Sequence, residues 1–586
     1  MKPRTSIILL VLSSIVSFVS AYIGFGGVEE DYSTASRAYM ALQLFTFQGG
    51  DVEGSVPFGV EIARWLAPAT TLGGVYAAAH AFFLKLWGNL RLRWIRGHTV
   101  ICGGGAKGSA LAAELAESVD TKVVLIDPAE SAELEALRRQ GVLVCIGDGG
   151  NASIMQQVGL YRASRLVCIT GDDRTNIGMA LAAAESLPQE RVNEPLDIFV
   201  HVGEVARRNI LQRSQMLDLK HDPRHRIRLF NCHANRARLA FEEYPLEWDA
   251  RTGLRDDVHL VVGALGPLEK AMVVHAAHIG HFRNGGRVRV HLVSVRANAD
   301  EAALLKEYPG LRKCAELESH PIAEADDFVD AVAEAASAWS KESLITVLPG
   351  GSAEAALAEA LLLGERLKSG HDPDDDGEGG PILRVLLDAP ADSGVRAMVV
   401  KNPKLASWIR FLPDLLAAVG KDAVFQESLD RVARKIHETW KRQTDEKIRK
   451  AELNGDTKKA AEHRAKDTYR DWDDLTEEQK DANRLAADHI SVKFRTVGLD
   501  PKDGHAVREA WPKMNDQELD LLSRMEHERW AAPLWMAGWK QGAKDDGKTD
   551  YSRKLHPNLV PYDELDQGTK NYDIEQVRSA AQYRLD

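Results

Sequence analysis

The feature that most constrains this chain is a glycine-rich turn, Val100-Ile101-Cys102-Gly103-Gly104-Gly105-Ala106-Lys107-Gly108. A β-branched run that ends in glycines and opens into a helical run fits a strand, a tight reversal and a helix of a parallel α/β sheet. In such a turn Gly103 permits the reversal, Gly105 lets the backbone approach a pyrophosphate, and Gly108 lets helix and sheet pack closely. The N-terminus of the helix that follows the turn offers free N–H groups and the positive end of its dipole. Asp127 ends the next strand, 19 residues after Gly108, where a carboxylate accepts hydrogen bonds from an adenosine ribose. Two plainer readings stand beside this one: a turn of the same shape without a ligand, and an Asp127 that only ends its strand in solvent.

The chain around the turn alternates. Thr99–Cys102, Lys122–Ile126, Val142–Ile146, Leu166–Thr170 and Asp197–Val202 read as strands. Ala110–Ser118, Glu130–Gln140, Ser153–Val158 and Asn176–Glu185 read as the helices between them. This predicts a doubly wound parallel sheet. The pattern then recurs. His259–Gly266 leads into a helix containing Glu269–Ala277, Val288–Val293 is a second strand, and Leu344–Gly351 aligns with Leu166–Asp173. Leu383–Leu387 matches Ile198–Val202. We expect an internal duplication, about 95–250 and 255–435. The second copy reads Gly263-Ala264-Leu265-Gly266-Pro267-Leu268-Glu269: it lacks the third glycine and carries Pro267 in the turn. It also has Gly350-Gly351 where the first copy has acidic residues, and is expected to be structural or to take another ligand.

Before the turn lie two apolar runs. Ile7–Ile23 follows Lys2 and Arg4, and Trp65–Leu84 is twenty residues without a formal charge, the length that spans a bilayer core. Lys85, Arg91, Arg93 and Arg96 follow, whereas the intervening loop carries Glu29, Glu30, Asp31, Asp51 and Glu53 against Arg37. The positive-inside rule puts both termini in the cytoplasm, and the expectation is a two-span hairpin in contact with membrane lipid. A cleaved signal peptide ending at Ser17-Phe18-Val19-Ser20-Ala21 is the alternative. Tyr39–Gly50 is too short to span and ends in Gly49-Gly50. It has the position of a pore helix and filter, without a TVGYG-like ladder; an interfacial surface helix is the other reading. Gly73-Gly74 suits either a hinge or close helix packing.

At 586 residues with a net charge of −12, the chain exceeds one core and has no general affinity for nucleic acid. Cys102, Cys145, Cys168, Cys232 and Cys314 show no CxxC or zinc spacing, so reduced, buried thiols are expected. Residues 371–380 read as a solvated acidic loop. From Lys441 to Arg470, 16 of 30 residues are charged, which suits an exposed helix or connector.

The stretch from His98 to about Leu239 resembles the RCK family, the nucleotide-binding regulatory domain of potassium channels and Trk-type transporters. The resemblance is carried by Gly103-x-Gly105-x-x-Gly108, Asp127, Gly147-Asp148-Gly149, Leu160-x-x-Ala163, Asp172-Asp173-x-x-Asn176, and Phe230-Asn231 followed by Ala237-Arg238. It implies binding of NAD(H) or another adenine nucleotide by Gly103, Gly105, Ala106, Lys107, Gly108, Asp127, Asp148 and Thr170. It also implies a homo-oligomer, a tetramer by family analogy, whose ring couples to a pore in an integral membrane protein of the bacterial inner membrane. The potassium filter is missing, so ion selectivity does not carry over.

A last, aromatic-rich domain follows Trp472. Glu526-His527-Glu528-Arg529-Trp530, Trp535, Gly538-Trp539 and His556-Pro557-Asn558-Leu559-Val560-Pro561-Tyr562 bring aromatic faces near Arg529, Lys540 and Lys554, a set suited to stacking a base and holding phosphates. Tryptophans that are simply core are the plainer reading. The order of these motifs over 490–586 resembles the RyR domain, the ryanodine receptor repeat. It implies a small helical module for ligand recognition, with His527, Arg529, Trp530, Trp539, His556 and Tyr562 as candidate ligand-binding residues.

No catalytic set emerges. His275, His278 and His281 fan across a helix rather than converge, and Gly350-Gly351-Ser352 is a strand-to-helix turn rather than a nucleophile elbow. The expected domains are a hairpin (1–96), an RCK-like Rossmann unit (97–250), a degenerate second unit (251–435), a charged helical connector (436–470) and a RyR-like unit (471–586). Two functions fit: a nucleotide-gated channel-like protein, and a non-conducting membrane-anchored nucleotide sensor or signalling and defence effector.

Overall fold

The computed structural model describes residues 3–28, 32–48, 55–118, 120–191, 194–204, 222–249, 252–367, 381–545 and 547–585, without the side chains of 3–8, 77–78, 80–91, 93 and 585. The candidate filter glycines Gly49 and Gly50, the acidic residues Glu29, Glu30, Asp31, Asp51 and Glu53, and the loop 371–380 lie outside the described residues. The chain divides into two compact units, residues 1–95 with 157–159, and residues 96–156 with 160–586.

In the first unit α1 (Pro3–Phe25) and α3 (Phe58–Trp94) run antiparallel, with α2 (Thr34–Gln43) between them in sequence. Glycines set their approach. A Cβ on Gly59 would lie 2.6 Å from the Ser20 carbonyl oxygen, and one on Gly24 would lie 2.7 Å from Val60 Cγ2. Gly73 faces Leu10 in the same way at 3.0 Å, which favours the packing role of this glycine. Ser33 caps α2, and a short 3-10 turn, Leu44–Thr46, ends it, with Phe47 at φ 63°. Among the described residues, no helix is long and apolar enough to cross a membrane. The two-span expectation is thus not carried by these residues, although α1 leaves Leu9, Val11, Leu12, Ile15, Val16, Val19 and Ile23 exposed. α3 carries Lys85, Arg91 and Arg93 of the basic patch to its end at Trp94, and Arg96 follows it.

In the second unit each β-branched run after a turn becomes a strand. The first sheet consists of β1 (Thr99–Cys102), β2 (Val123–Asp127), β3 (Leu143–Ile146), β4 (Arg165–Cys168), β5 (Leu196–His201) and β6 (His225–Phe230). Its order is β3-β2-β1-β4-β5-β6, all parallel. Parallel strands are covered on both faces, and β1 is accordingly buried at every position. The crossover helices are α4 (Ala106–Glu117), α5 (Ala132–Arg139), α6 (Ala152–Gln157) and α7 (Asp173–Glu185).

After the two-residue strands β7 (Trp248–Asp249) and β8 (Gly253–Leu254), a second sheet forms from β9 (Val258–Val262), β10 (Arg289–Ser294), β11 (Glu316–Pro321), β12 (Leu344–Leu348), β13 (Ile382–Leu387) and β14 (Ile409–Phe411). Its order, β11-β10-β9-β12-β13-β14, is that of the first. β6, β11 and β14 were not among the expected strands. His225–Phe230 alternates charged and apolar residues, and Glu316–Pro321 is largely polar. Both are outer strands, which the apolar pattern marks least.

Side chains alternate across the second sheet. Val261, Val293 and Val347 enter a core with the helices Phe328–Ala336 and Ala353–Arg366. Leu260, Val262 and Leu292 enter another with the helix Pro267–Ile279, and that second core continues without a break through Trp472, Ile490, Phe494, Trp511, Met525 and Tyr583. The C-terminal helices, chiefly Glu477–Thr496, Asp516–Met536 and Gln567–Leu585, therefore share a core with the second sheet. Charge pairs reinforce this junction. Arg495 meets Glu247 at 2.6 Å with both side chains buried, and Arg238 meets Asp488 at 2.7 Å and Asp430 at 2.8 Å.

The charged stretch 436–470 is less exposed than its composition implies. It belongs to the helices Arg431–Leu453 and Thr457–Arg464, and Ile436, His437, Thr439, Thr444 and Ile448 on the first of them are buried. A short return after β14, Leu415–Val419, places Ala418 and Val419 in the core of the first sheet with Leu111 and Leu115. All five cysteines are free and buried.

Candidate functional site

The residues expected to bind a nucleotide collect at the C-terminal edge of the first sheet, where β1 and β4 lie side by side and their crossovers leave on opposite sides. This is the switch point at which open α/β sheets take ligands. Gly103 sits at φ +115°, a conformation open to glycine, and its N–H donates to the Ile126 carbonyl at 2.9 Å. Gly108 is buried, and a Cβ there would lie 1.9 Å from the Gly103 oxygen. Its role is the close packing of α4 on the turn. Gly105 is the N-cap of α4, and a Cβ there would meet nothing within 4 Å. Together with Ala106, Gly105 is exposed, so the first N–H groups of α4 face open space.

Asp127 is not a bare strand end. Its Oδ2 accepts from the Gly104 N–H at 2.7 Å and its Oδ1 from the Ala129 N–H at 2.9 Å. It braces the glycine turn, and each oxygen keeps a further lone pair for a ribose hydroxyl. Asp148 is exposed after β3 and accepts from the Gly150 N–H at 2.8 Å. Thr170 follows β4 and is engaged by the fully buried Asn176. Asn176 Oδ1 accepts both the Thr170 N–H and its hydroxyl at 2.7 Å, and Asn176 Nδ2 donates to the His201 carbonyl at 3.0 Å. Asn176 thus ties the ends of β4 and β5.

Lys107 points elsewhere. It lines a cavity of about 570 Å³ together with Arg228, Asn231, His233, Lys270 and Asp488, and is the one member of the predicted set that does so. Burial, then the charges of Lys107 and His233, push His201 down to about 3. Burial, Lys107 and Arg236 push His233 to about 4. Both imidazoles are neutral at physiological pH. Sequence reading missed this cavity because its walls come from residues as far apart as Lys107 and Asp488.

The second copy of the turn has the same backbone and a different occupant. Gly266 caps its helix at φ −80°, ψ −178°, close to Gly105 at φ −70°, ψ −177°, and Pro267 is the first helical residue, where its missing N–H costs little. A Cβ on Gly266 would lie 2.6 Å from Glu269 Oε2. Burial lifts the pKa of Glu269 above the usual carboxylate range, against backbone hydrogen bonds from its own N–H and that of Gly266. The protein's own carboxyl group sits where an anion would bind.

In the C-terminal region the aromatic set does assemble. His527 stacks on Trp530 with centroids 5.5 Å apart, Trp530 meets His556 edge-on at 5.0 Å, and Tyr562 lies 6.0 Å from His527. His527 and Tyr562 line a second cavity of about 580 Å³. Two expectations need correction. Arg529 is 4% exposed, and its guanidinium holds Glu526 at 2.5 Å, while Lys493 holds the same carboxylate at 2.6 Å. A buried cation in this network has no face left for a phosphate. Trp539, 5% exposed, packs with Ala531 and Leu559 and is core. Lys554 donates to the Ala537 carbonyl at 2.7 Å.

His275, His278 and His281 do not converge. His275 stacks on Phe241 and His281 Nδ1 lies 3.6 Å from Glu528 Oε2, while His278 lines the first cavity. Among the described residues, two other groups, absent from the sequence reading, do bring metal-ligating atoms together: His201 with Cys232 and His233, and His291 with Glu318 and His320.

Residues 99–216 match the TrkA-N domain family, and residues 510–584 match the RyR domain family. A comparison with curated proteins finds no match. Similar solved structures include the GsuK channel bound to NAD, at 13% identity over 70% of this chain and 80% of that one, with a TM-score of 0.36. GsuK bound to ADP is similar at 15% identity over 61% and 91%, with a TM-score of 0.28. By the family matches alone, the segment that carries the first sheet is similar to a TrkA-N domain, and the last helices are similar to a RyR domain.

Proposed function

We propose that this chain is a nucleotide-responsive regulator of a membrane hairpin. NAD(H) or another adenine nucleotide binds at the first glycine turn, with its pyrophosphate over Gly105 and Ala106 and its ribose on Asp127. Asp148 and Thr170 bound the same crevice. The single observation that carries this reading is the contrast between the two copies: the helix N-terminus at Gly105 is open, whereas that at Gly266 is filled by Glu269. An open N-terminus at a switch point is an anion site.

The hairpin is read as two spans in contact with lipid, with both termini cytoplasmic. The support is the row of exposed apolar residues on α1, which water does not favour, and the charge asymmetry of the flanks. α3 ends at Trp94, four residues before β1, so the covalent connection between the hairpin and the nucleotide domain is short. We further propose the division 1–96, 97–250, 251–435, 436–470 and 471–586 as sequence segments, the third and last of which share one core, together with homo-oligomeric assembly as a tetramer and a second ligand at the aromatic set around His527, Trp530, His556 and Tyr562. The reading includes no catalysis: NAD(H) is bound, not turned over.

Calorimetric titration of the full chain with NAD⁺, NADH, ATP, ADP and AMP tests the binding step. Ion flux through reconstituted protein with and without the bound nucleotide tests the output. Absence of binding across the panel would refute the nucleotide reading. Binding without any ligand-dependent flux would favour the anchored sensor or effector, which the missing filter motif already supports.

A further inference from the structure

The second sheet carries a row of imidazoles that the nucleotide reading does not use. His259 lies on β9, His291 on β10, and Glu318 and His320 on β11. In a strand, residues two apart share a face, so Glu318 and His320 point the same way, and the register sets His291 directly beside Glu318. Three ligand atoms meet there. His291 Nδ1 is 3.1 Å from His320 Nε2 and 3.4 Å from Glu318 Oε2, and the latter two are 3.6 Å apart. A tetrahedral zinc ion with ligands at about 2.0–2.1 Å has ligand–ligand edges of about 3.3 Å. The observed triangle has these edges.

The inner partners orient His291 for this task. Its Nε2 is 2.9 Å from His259 Nδ1, and His259 Nε2 is 3.2 Å from Asp257 Oδ1. His259 Nε2 makes no hydrogen bond, and the field of the nearby Asp257 carboxylate favours the tautomer with hydrogen on Nε2. His259 Nδ1 then accepts, His291 must donate from Nε2, and the lone pair of His291 Nδ1 faces His320 and Glu318. A carboxylate behind a ligating histidine is the usual outer shell of a metal site, here relayed through one more imidazole. Trp339 covers the inner side, stacked on His259 at 3.9 Å and near His291 at 4.5 Å. The His259 and His291 side chains are buried, and the Glu318 side chain is half-exposed.

We propose that His291, His320 and Glu318 bind one divalent first-row metal ion, zinc by preference, as a three-ligand site whose fourth position opens to solvent. Such a site is exchangeable, unlike a closed four-ligand one. It clips the edge strand β11 to β10 at a place where strand pairing is otherwise one-sided.

The test uses the full chain, stripped with a chelator and titrated with Co²⁺. One cobalt per chain is expected, with the intense visible bands of tetrahedral coordination and no thiolate charge-transfer band. His320→Ala and Glu318→Gln, both at partly exposed positions, should weaken binding at least ~10-fold, and Cys232→Ser should leave it unchanged. Three results would overturn the proposal: no stoichiometric cobalt, binding unchanged in His320→Ala, or a thiolate band that disappears in Cys232→Ser. The last would assign the ion to His201, Cys232 and His233 instead. Circular dichroism of each variant shows whether it is folded.

Discussion

Replacing Gly105 with valine separates folding from binding at the glycine turn. The backbone there, φ −70° and ψ −177°, is open to any residue, and a Cβ meets no atom within 4 Å. The fold therefore loses only the small N-cap preference of glycine, below about 1 kcal/mol, and the thermal midpoint should stay within about 4 °C of the parent. The same open space is where a pyrophosphate must approach α4. Holding it off even one charged hydrogen bond costs about 1.5–3 kcal/mol, or roughly 10- to 150-fold in Kd. Calorimetric titration with NAD⁺ or the best nucleotide of the panel measures this directly. A folded Gly105→Val protein with unchanged affinity would refute the placement of the phosphate over this helix end.

Gly108→Ala should behave oppositely: its Cβ would lie 1.9 Å from a backbone oxygen, and an overpacking cost of about 1–3 kcal/mol or more should appear in denaturant unfolding, whether or not nucleotide is present. At the glycine turns nucleotide should bind once per chain, because Glu269 fills the second helix end; a second equivalent by calorimetry that persists in Trp530→Ala, and so does not come from the aromatic set, would contradict that contrast. Glu526→Gln should destabilise the C-terminal region by about 3–5 kcal/mol, measured by denaturant unfolding; a loss below about 1 kcal/mol would mean the Lys493–Glu526–Arg529 network is weak. Burial alone would raise the pKa of Glu526, but the charges of Arg529 and Lys493 outweigh it and hold the group at about 2. This contribution is full above the unfolded value near 4.5 and is lost as pH falls toward 2, so acid unfolding of the Glu526→Gln protein should lack that component. Trp539→Ala should cost about 3–5 kcal/mol as a core truncation; a change in ligand affinity alone, without loss of stability, would restore a binding role.

The parallel sheets were legible because buried parallel strands are continuous apolar runs, and both turns announce themselves through glycine. The outer strands were not, since Glu316–Pro321 carries charge and imidazole where an inner strand carries valine. Within the candidate site, the spacing of Gly103, Gly105 and Gly108 located the crevice, but composition cannot distinguish an exposed cation from a buried one. The motif offers Arg529 for a phosphate, whereas its partner is Glu526, three residues away on the same helix. Likewise nothing in the order Gly266-Pro267-Leu268-Glu269 tells that the Glu269 side chain folds back over Gly266. The histidine row was invisible for a different reason. Its members are separated by about thirty residues each, and only the parallel register brings them together, as diagonal neighbours on adjacent strands.

The unbroken core from Leu260 to Tyr583 bears on how this chain tolerates being cut. A truncation before Trp472 would remove the apolar cover from one face of the second sheet's helix layer, and it would strand Glu247 without Arg495. Such a fragment should be recovered as aggregate rather than as folded protein. For inheritance as for engineering, the last hundred residues are then not a detachable cassette: recombination that exchanges them must also exchange the surface they rest on, so the two halves are expected to travel together.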